Sequence, residues 1–348
     1  MPDDDLQILI DNEEDEETII ETQEDNIDSL IIDSEDKEIL TNQESSSEEE
    51  NNTEIDMAEL PELKNENVQK NSDIAVIDNS NLKILVVNDR GGVGKSTVAQ
   101  QIIAPYLFSV SGNKKVPYYS LESKDEGFTE TNIIIPSYME VKKETFDNLF
   151  ISLFSRNESS IFDIGCEKTS ETVLNSLVNT GLIYGVDLFV IPLTNGKKEA
   201  NAVKKIYEFI KHHNVGAKFL FVLNKVRNGY TYEESCLHFI DFLGDRNFIA
   251  DSTPGVIKDF ATEDAANIIY LYEDNCINYS VREGLTVFEI AFTNIETTTT
   301  NLKQALSTGD VENIKLLSYR KKEFEKCKAF YFNCIEPSLQ KLDTILSN

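Results

Sequence analysis

The chain has 348 residues, of which 40% are hydrophobic, enough for one large domain or two small ones with a real core. Its formal net charge is −30 at pH 7, and most of this acidity is local, because residues 1–80 carry 28 acidic residues against three lysines. The rest of the chain holds 34 acidic and 29 basic residues and is nearly balanced. The overall charge therefore does not exclude binding to nucleic acid.

Membrane, secretory and zinc-binding classes are excluded by simple counts. No apolar run reaches the ~18 residues that a membrane span requires, and the acidic N-terminus is the opposite of a secretory signal. The five cysteines have no Cys-x-x-Cys spacing, and the three histidines form no metal pattern. We therefore expect a cytoplasmic protein with reduced thiols and without a membrane span.

The acidic N-terminal segment, residues 1–80, contains no aromatic residue and is rich in Glu, Asp, Asn and Ser. Such a composition cannot bury enough surface to offset its ordering entropy, which predicts a disordered tail. Short apolar pairs recur along it, at Leu9–Ile10, Ile19–Ile20, Ile31–Ile32 and Ile39–Leu40. Two interpretations stay open: a solubilising, self-repelling tail, or a string of linear motifs that dock on a partner protein.

From residue 81 onward, continuous apolar strands alternate with helical segments. This alternation predicts an α/β fold with a mostly parallel sheet flanked by helices on both faces. The predicted strands are 82–88, 116–121, 160–164, 187–193 and 218–224, with 248–251 as a further candidate. The predicted helices between them are 96–108, 143–156 and 197–212.

The C-terminal part of the chain is predicted to be helical after about Gly284. Asp310 is the expected N-cap of a long helix that runs from Val311 to about Cys334. Four consecutive threonines, Thr297–Thr300, are expected to mark a break before that helix.

A glycine-rich loop spans Arg90–Thr97, with the sequence RGGVGKST, between a predicted strand and a predicted helix. Gly91, Gly92 and Gly94 lack a Cβ atom, so the backbone can adopt positive φ and approach phosphate oxygens closely. Their N–H groups and those of the following helix form an anion-binding concavity. The pattern therefore predicts a phosphate-binding loop.

Four further residues of this loop complete the expected nucleotide site. Lys95 places a positive charge on the β- and γ-phosphates, and the Ser96 hydroxyl is suited to ligate Mg²⁺. Val93 and Thr97 belong to the same backbone cradle. The cofactors predicted from the loop are a nucleoside triphosphate and Mg²⁺.

The loop resembles the deviant phosphate loop of the ParA/MinD family of ATPases, written KGGxGK[ST], because Asp89 stands where an ordinary loop has its first glycine. The resemblance covers about residues 82–290 and implies a P-loop fold of the SIMIBI type and an ATP-dependent homodimer. The family's signature lysine, which reaches the partner's ATP, is replaced by Arg90. Arginine is a permanent cation that can act in trans, but its different geometry leaves slow or absent hydrolysis as an alternative.

The resemblance also implies roles for residues at the ends of two strands. Asp163 ends a strand and is expected to hold Mg²⁺ through water, with the N–H of Gly165 sensing the γ-phosphate. Glu122 and Ser120 fall at the two acidic positions of switch I. Glu122 is expected to orient the attacking water, and Asp125 is a rival for that role.

Base recognition is predicted at the end of another strand. Asn224 matches an asparagine that contacts adenine in the family. Arg227 stands where GTPases place the aspartate that pairs with guanine, which favours ATP. The segment Asp251–Gly255 loosely resembles a loop over the base, and Arg282–Val287 resembles the closing segment before the family's last helix.

The expected organisation is a disordered tail (1–80), a P-loop ATPase domain (81–295) and a C-terminal helical extension (296–348). The resemblance implies a dimerisation switch in plasmid partition, DNA positioning or conjugative transfer. Nonspecific DNA binding is expected through two groups of basic residues, Lys197, Lys198, Lys204 and Lys205 on one helix and Arg320, Lys321, Lys322, Lys326 and Lys328 on another. The alternative is a weakly or non-hydrolysing adaptor that binds ATP and localises a partner through the tail; a metabolic kinase is disfavoured.

Overall fold

The computed structural model describes residues 81–121, 130–141, 146–165, 168–245 and 254–347. Within them, seven strands form one sheet in the order β3-β2-β4-β1-β5-β6-β7, and every neighbouring pair is parallel. The strands are β1 (Lys83–Val86), β2 (Val116–Leu121), β3 (Ile134–Tyr138), β4 (Ser160–Ile164), β5 (Leu188–Leu193), β6 (Phe219–Arg227) and β7 (Ile268–Glu273). The predicted α/β fold is confirmed.

Helices connect the strands and follow the last of them. In the first half of the described chain they are α1 (Lys95–Val98), α2 (Ala104–Val110), α3 (Phe146–Phe154), α4 (Lys168–Thr180), α5 (Lys197–His213), α6 (Tyr232–His238) and α7 (Ile240–Leu243). In the second half they are α8 (Thr262–Ala265), α9 (Asn275–Arg282), α10 (Val287–Phe292), α11 (Ile295–Thr308), α12 (Val311–Phe330) and α13 (Glu336–Ser347). Two π-helical turns, Ala99–Ile103 and Tyr331–Ile335, join α1 to α2 and α12 to α13.

The central strands are buried on both faces, as their unbroken apolar sequences require. Every residue of β1, β4 and β5 is buried. One core cluster packs the helix after β1 together with α9, α10, α12 and α13, and a second packs α3 to α7 on the opposite face. No helix in the described part of the chain is long and apolar enough to cross a membrane.

The C-terminal helices contribute to the first of these cores. Phe324 of α12 and Leu342 and Ile345 of α13 belong to the same cluster as Val98 and Ile102 from the helical stretch after β1. The helices α12 and α13 therefore share a core with the phosphate-loop helix, and α11 packs against α12. The limits of the N-terminal tail and of the C-terminal extension stay predictions.

Two edge strands escaped prediction. In β3, the edge position of the strand allows Pro136 and half-exposed side chains such as Ile135, so the sequence lacks a continuous apolar run. In β7, buried and partly exposed residues alternate at the other edge of the sheet. The candidate strand 248–251 lies outside the described residues. The other five predicted strands agree with the structure to within three residues at either end.

One predicted break is wrong. Thr297–Thr300 lie inside α11, which is capped by Asn294 at its start and by Gly309 in the left-handed conformation at its end. Threonine is a poor helix former, but good caps and packing against α12 outweigh that preference. The break falls at Gly309, and the predicted N-cap is confirmed because Asp310 Oδ1 accepts a 3.1 Å hydrogen bond from the Asn313 N–H.

Candidate functional site

The loop after β1 turns back through two glycines in the left-handed conformation. Gly92 has φ 73° and Gly94 has φ 86°, values that side chains with a Cβ rarely adopt. Gly94 is the N-cap of α1, so the free N–H groups of the first helical turn point back toward the concave side of the loop. Gly91 and Gly92 are exposed, which leaves this backbone open to an anion.

An asparagine from β6 braces the underside of this loop. The Asn224 side chain is buried, its Nδ2 donates a 2.8 Å hydrogen bond to the Val93 carbonyl, and its Oδ1 accepts one from the Lys225 N–H. Lys225 has φ 58°, and a register shift of β6 against β7 at this point turns the strand. Both ends of the Asn224 amide are therefore used within the protein, and the predicted contact with adenine stays a prediction.

The lysine of the loop lies inside the concavity. Lys95 is 8% exposed, and its Nζ donates a 3.0 Å hydrogen bond to the carbonyl oxygen of Arg90 at the opposite end of the loop. The loop is thus curled around its own cation, where a phosphate oxygen can replace the carbonyl as the acceptor.

Ser96 and Asp163 meet beside the lysine, at the carboxyl ends of two adjacent strands. The Ser96 hydroxyl donates to Asp163 Oδ2 at 2.6 Å, and the Tyr118 phenol donates to the same oxygen. Burial raises the pKa of Asp163, while the hydrogen bonds from Ser96 and Tyr118 and the charge of Lys95 lower it. Among the described residues, the second oxygen, Asp163 Oδ1, is buried without a hydrogen-bond partner.

These groups fit Mg²⁺. The ion prefers oxygen ligands and is commonly held by one or two protein side chains together with phosphates and water. Ser96 offers a hydroxyl oxygen, and the unpartnered Oδ1 of Asp163 offers a carboxylate oxygen to the ion or to its water. The described residues contain no group of three or more His, Cys, Asp or Glu side chains suited to a metal, so this smaller site is the candidate.

The chain has a parallel α/β fold with a glycine-rich, left-handed loop after its first strand. No protein-family model and no curated protein sequence matches it. Among solved structures it is similar to a putative plasmid partition protein from Borrelia burgdorferi B31 bound to AMPPNP, with 17% identity and a TM-score of 0.38, over 59% of this chain and 90% of that one.

Two further solved structures show the same relationship. The ATP complex of a single-residue variant of McdA from Cyanothece is 13% identical with a TM-score of 0.38, over 72% of this chain and 96% of that one. The cell division ATPase MinD from Pyrococcus furiosus is 13% identical with a TM-score of 0.37, over 71% and 99%. Of the three, one is described as a putative plasmid partition protein and one as a cell division ATPase. At such identities and scores these similarities carry no argument about this chain, whose fold is given by its own sheet topology.

Two residues before the glycines tie the P-loop to helices of the opposite face. Asp89 Oδ1 accepts a 2.7 Å hydrogen bond from Ser170 of α4, and its Oδ2 lies 3.5 Å from Lys205 Nζ of α5. Arg90 Nε lies 3.7 Å from an oxygen of Glu199, also in α5, and the Arg90 side chain is 41% exposed. The cation predicted to act in trans is therefore held loosely beside its own loop.

The predicted switch residues are only partly described. Glu122 and its rival Asp125 lie outside the described residues. Ser120 pairs in register with Asp163, as expected for a residue at the same edge. The Gly165 N–H donates a 3.0 Å hydrogen bond to the Leu121 carbonyl and so extends the ladder between β2 and β4; its role as a phosphate sensor stays a prediction.

The segment predicted to lie over the base, Asp251–Gly255, falls largely outside the described residues, and its role stays a prediction. The strand next to β6 is β7, which is followed by Asp274 and not by Asp251–Gly255. Of that segment, residues 254 and 255 are described, and Gly255 packs against the backbone of Gly244. The carboxyl ends of β6 and β7 instead open on a cleft of about 500 Å³ that is lined by Asn228, Tyr230, Tyr272, Asp274, Lys326 and Phe330.

Proposed function

We propose that this chain is an ATP-binding, Mg²⁺-dependent ATPase that acts as a nucleotide-dependent dimerisation switch. The observation that carries the proposal is the convergence of three side chains at the mouth of one left-handed glycine turn. Lys95 lies buried in the loop, and Ser96 and Asp163 are hydrogen bonded to each other beside it. A cation, a hydroxyl and a carboxylate in this arrangement serve the phosphates and the metal ion together.

Each of these groups has a separate part in the proposed chemistry. Lys95 exchanges the Arg90 carbonyl for oxygens of the β- and γ-phosphates. The Ser96 hydroxyl would offer its oxygen to the ion while still donating its hydrogen to Asp163, since a hydroxyl can donate and accept at once. Mg²⁺, when bound, neutralises charge that develops on the phosphates. Glu122 is the proposed residue that orients water.

The nucleotide is proposed to be ATP. Arg227, the last residue of β6, provides a cation where recognition of guanine requires a carboxylate. Asn224 is committed to the loop and to the Lys225 N–H. The adenine contact proposed for it therefore requires an exchange of one of these hydrogen bonds.

The dimer is proposed because of the position and pairing of Arg90. Its contact with Glu199 joins two partly exposed side chains at 3.7 Å, a geometry that contributes roughly 0–1 kcal/mol. Such a pair is easily exchanged for a phosphate of a second molecule's nucleotide. An arginine supplied in trans can stabilise charge on the transferred phosphate.

A second candidate, an adaptor that binds ATP and hydrolyses little, is favoured by the identity of the same residue. The planar guanidinium of Arg90 needs a geometry different from that of a lysine ammonium. In this reading the nucleotide stabilises the dimer, and a partner protein is bound through the acidic tail, which lies outside the described residues.

We also propose a role in positioning or transferring DNA. The basic surface available for DNA is smaller than the two groups of basic residues in the sequence suggest. Several basic residues of the two groups are engaged in ion pairs: Lys204 with Asp259, Lys205 with Asp89, Arg320 with Glu283 and Lys326 with Glu323. Lys197 and Lys198, at the exposed start of α5, are the better candidates for phosphate contacts.

The two candidates are separated by measuring phosphate release and molecular mass together. For the ATPase switch we expect ATP, but not ADP, to double the mass in light scattering, and turnover to exceed that of a Lys95→Ala control. An ATP-dependent dimer whose turnover equals that of the control would favour the adaptor. A mass that does not respond to ATP would refute the dimerisation switch.

A further inference from the structure

We propose that Tyr118 is a positioning residue of the Mg²⁺ site, which holds the carboxylate of Asp163 so that one oxygen faces the ion. The inference rests on the proposed function, because it gives a role to a side chain that surrounds the same carboxylate. Neither the loop pattern nor the switch pattern contains this tyrosine.

The position of Tyr118 is fixed by the sheet. Residues 118 and 120 of β2 project from the same face because side chains alternate along a strand. In the register of β2 against β4, Tyr118 lies opposite Ile161 and Ser120 lies opposite Asp163. The phenol therefore reaches along this face of the sheet to the carboxylate at the tip of β4.

The hydrogen bond from Tyr118 to Asp163 is buried, and it involves only one of the two carboxylate oxygens. Tyr118 is 1% exposed, and its hydroxyl donates to Asp163 Oδ2, the oxygen that also accepts from Ser96. Asp163 Oδ1 has no hydrogen-bond partner among the described residues. With two donors on one oxygen, the carboxylate is oriented so that the other oxygen is left for the ion or its water.

The two donors differ in rigidity. Ser96 is exposed at the start of α1, and rotation about a single bond moves its hydroxyl. Tyr118 is buried in the same core cluster as Ile84, Val98 and Ile161, and close packing of this core restricts its side chain. When Ser96 binds the ion, Tyr118 remains the donor whose position does not depend on the ligand.

Packing of the ring in the core does not by itself explain why residue 118 carries a hydroxyl group. The ring belongs to an apolar core cluster, whereas the hydroxyl interacts with Asp163, Ser96 and Gln100. A phenylalanine would keep the place in the cluster and lose the contacts of the hydroxyl. A buried hydroxyl requires a hydrogen-bond partner, and the Tyr118 hydroxyl has Asp163 as its acceptor. Ser120, two places on and opposite Asp163, is neutral, so β2 brings no second carboxylate toward this site. This strand thus supplies a donor toward Asp163 in place of a second carboxylate.

The test is the Tyr118→Phe variant, with Tyr119→Phe as its matched control. Tyr119 is 3% exposed, points to the opposite face and accepts a 3.0 Å hydrogen bond from Arg156, so the control also removes one buried hydroxyl from β2. A fluorescent ATP analogue is titrated in EDTA and at increasing Mg²⁺. We expect Tyr118→Phe to raise the Mg²⁺ concentration at half-maximal effect about tenfold, as loss of a group that orients a metal ligand does. Its affinity in EDTA should match that of the wild type.

Each other outcome overturns the proposal. A Mg²⁺ midpoint equal to that of the wild type, or an equal shift in Tyr119→Phe, would show that Tyr118 does not position the ligand. Loss of affinity in EDTA as well as in Mg²⁺, or a melting temperature well below that of Tyr119→Phe, would assign it a structural role. If the wild-type chain binds no nucleotide, the proposed function fails, whereas failure of Tyr118 alone leaves that function standing.

Discussion

Gly94 shows how closely the P-loop is fitted to its surroundings. A Cβ atom at this position would lie 1.9 Å from Asn224 Nδ2, and the residue has φ 86°. Gly92 has a similar φ of 73°, but no atom lies within 4 Å of the place where its Cβ would be. The two glycines therefore share a conformational requirement and differ in the space around them.

This difference predicts unequal effects of the same substitution. Gly92→Ala meets only the left-handed backbone penalty, about 1–2 kcal/mol. Gly94→Ala must in addition push Asn224 off the Val93 carbonyl, which leaves a buried acceptor unpaired at a further cost of about 1–3 kcal/mol. Urea unfolding should show the larger loss of stability for Gly94→Ala. Equal losses in the two variants would mean that Asn224 does not brace the loop.

At the scale of single residues, the sequence predicts contacts within a short pattern but not hydrogen bonds between residues that are far apart in the chain. Lys95, Ser96 and the glycines stand in one short pattern, so their proximity could be expected. Tyr118 donates to a residue 45 positions away, and Asn224 to one 131 positions away. A tyrosine in a buried strand is typical of a core residue, and only the register of β2 against β4 shows where the Tyr118 hydroxyl lies.

At the scale of elements, burial decided which strands could be recognised. The central strands β1, β4 and β5 are covered on both faces and read as apolar runs. The edge strands β3 and β7 carry exposed or partly exposed residues and were missed. The threonine run in α11 was wrongly predicted to be a break, because packing and capping outweigh the low helix propensity of threonine.

The packing of the C-terminal helices predicts contrasting effects of two leucines in them. Leu342 of α13 is fully buried, whereas Leu306 of α11 is 57% exposed. Leu342→Ala should destabilise the protein by about 2–5 kcal/mol through the cavity it leaves, and Leu306→Ala by about 0.5 kcal/mol or less. Both are measured by urea unfolding. A small loss for Leu342→Ala would indicate that α13 is not part of the core shared with the P-loop helix.

For the whole molecule, sheet topology explains why the site is where it is. From β1 the chain moves to β2 and β3 on one side, returns to β4, and then crosses to β5 on the other side. Ligands of open parallel sheets bind at the carboxyl edge where the strand order reverses in this way. The hydrogen bond between Ser96, which follows β1, and Asp163 at the end of β4 lies at this point.

The central claim is that the loop at Arg90–Thr97, with Asp163, binds ATP together with Mg²⁺. Isothermal titration calorimetry of the full chain with ATP, in Mg²⁺ and in EDTA, tests it most directly when the Lys95→Ala variant is measured in parallel. We predict one site per chain, tighter in Mg²⁺ than in EDTA. Loss of the lysine, a charge-assisted contact of about 1.5–3 kcal/mol, should weaken binding by about 10- to 100-fold. Binding that is unchanged in Lys95→Ala, or no binding by the wild type, would contradict the claim.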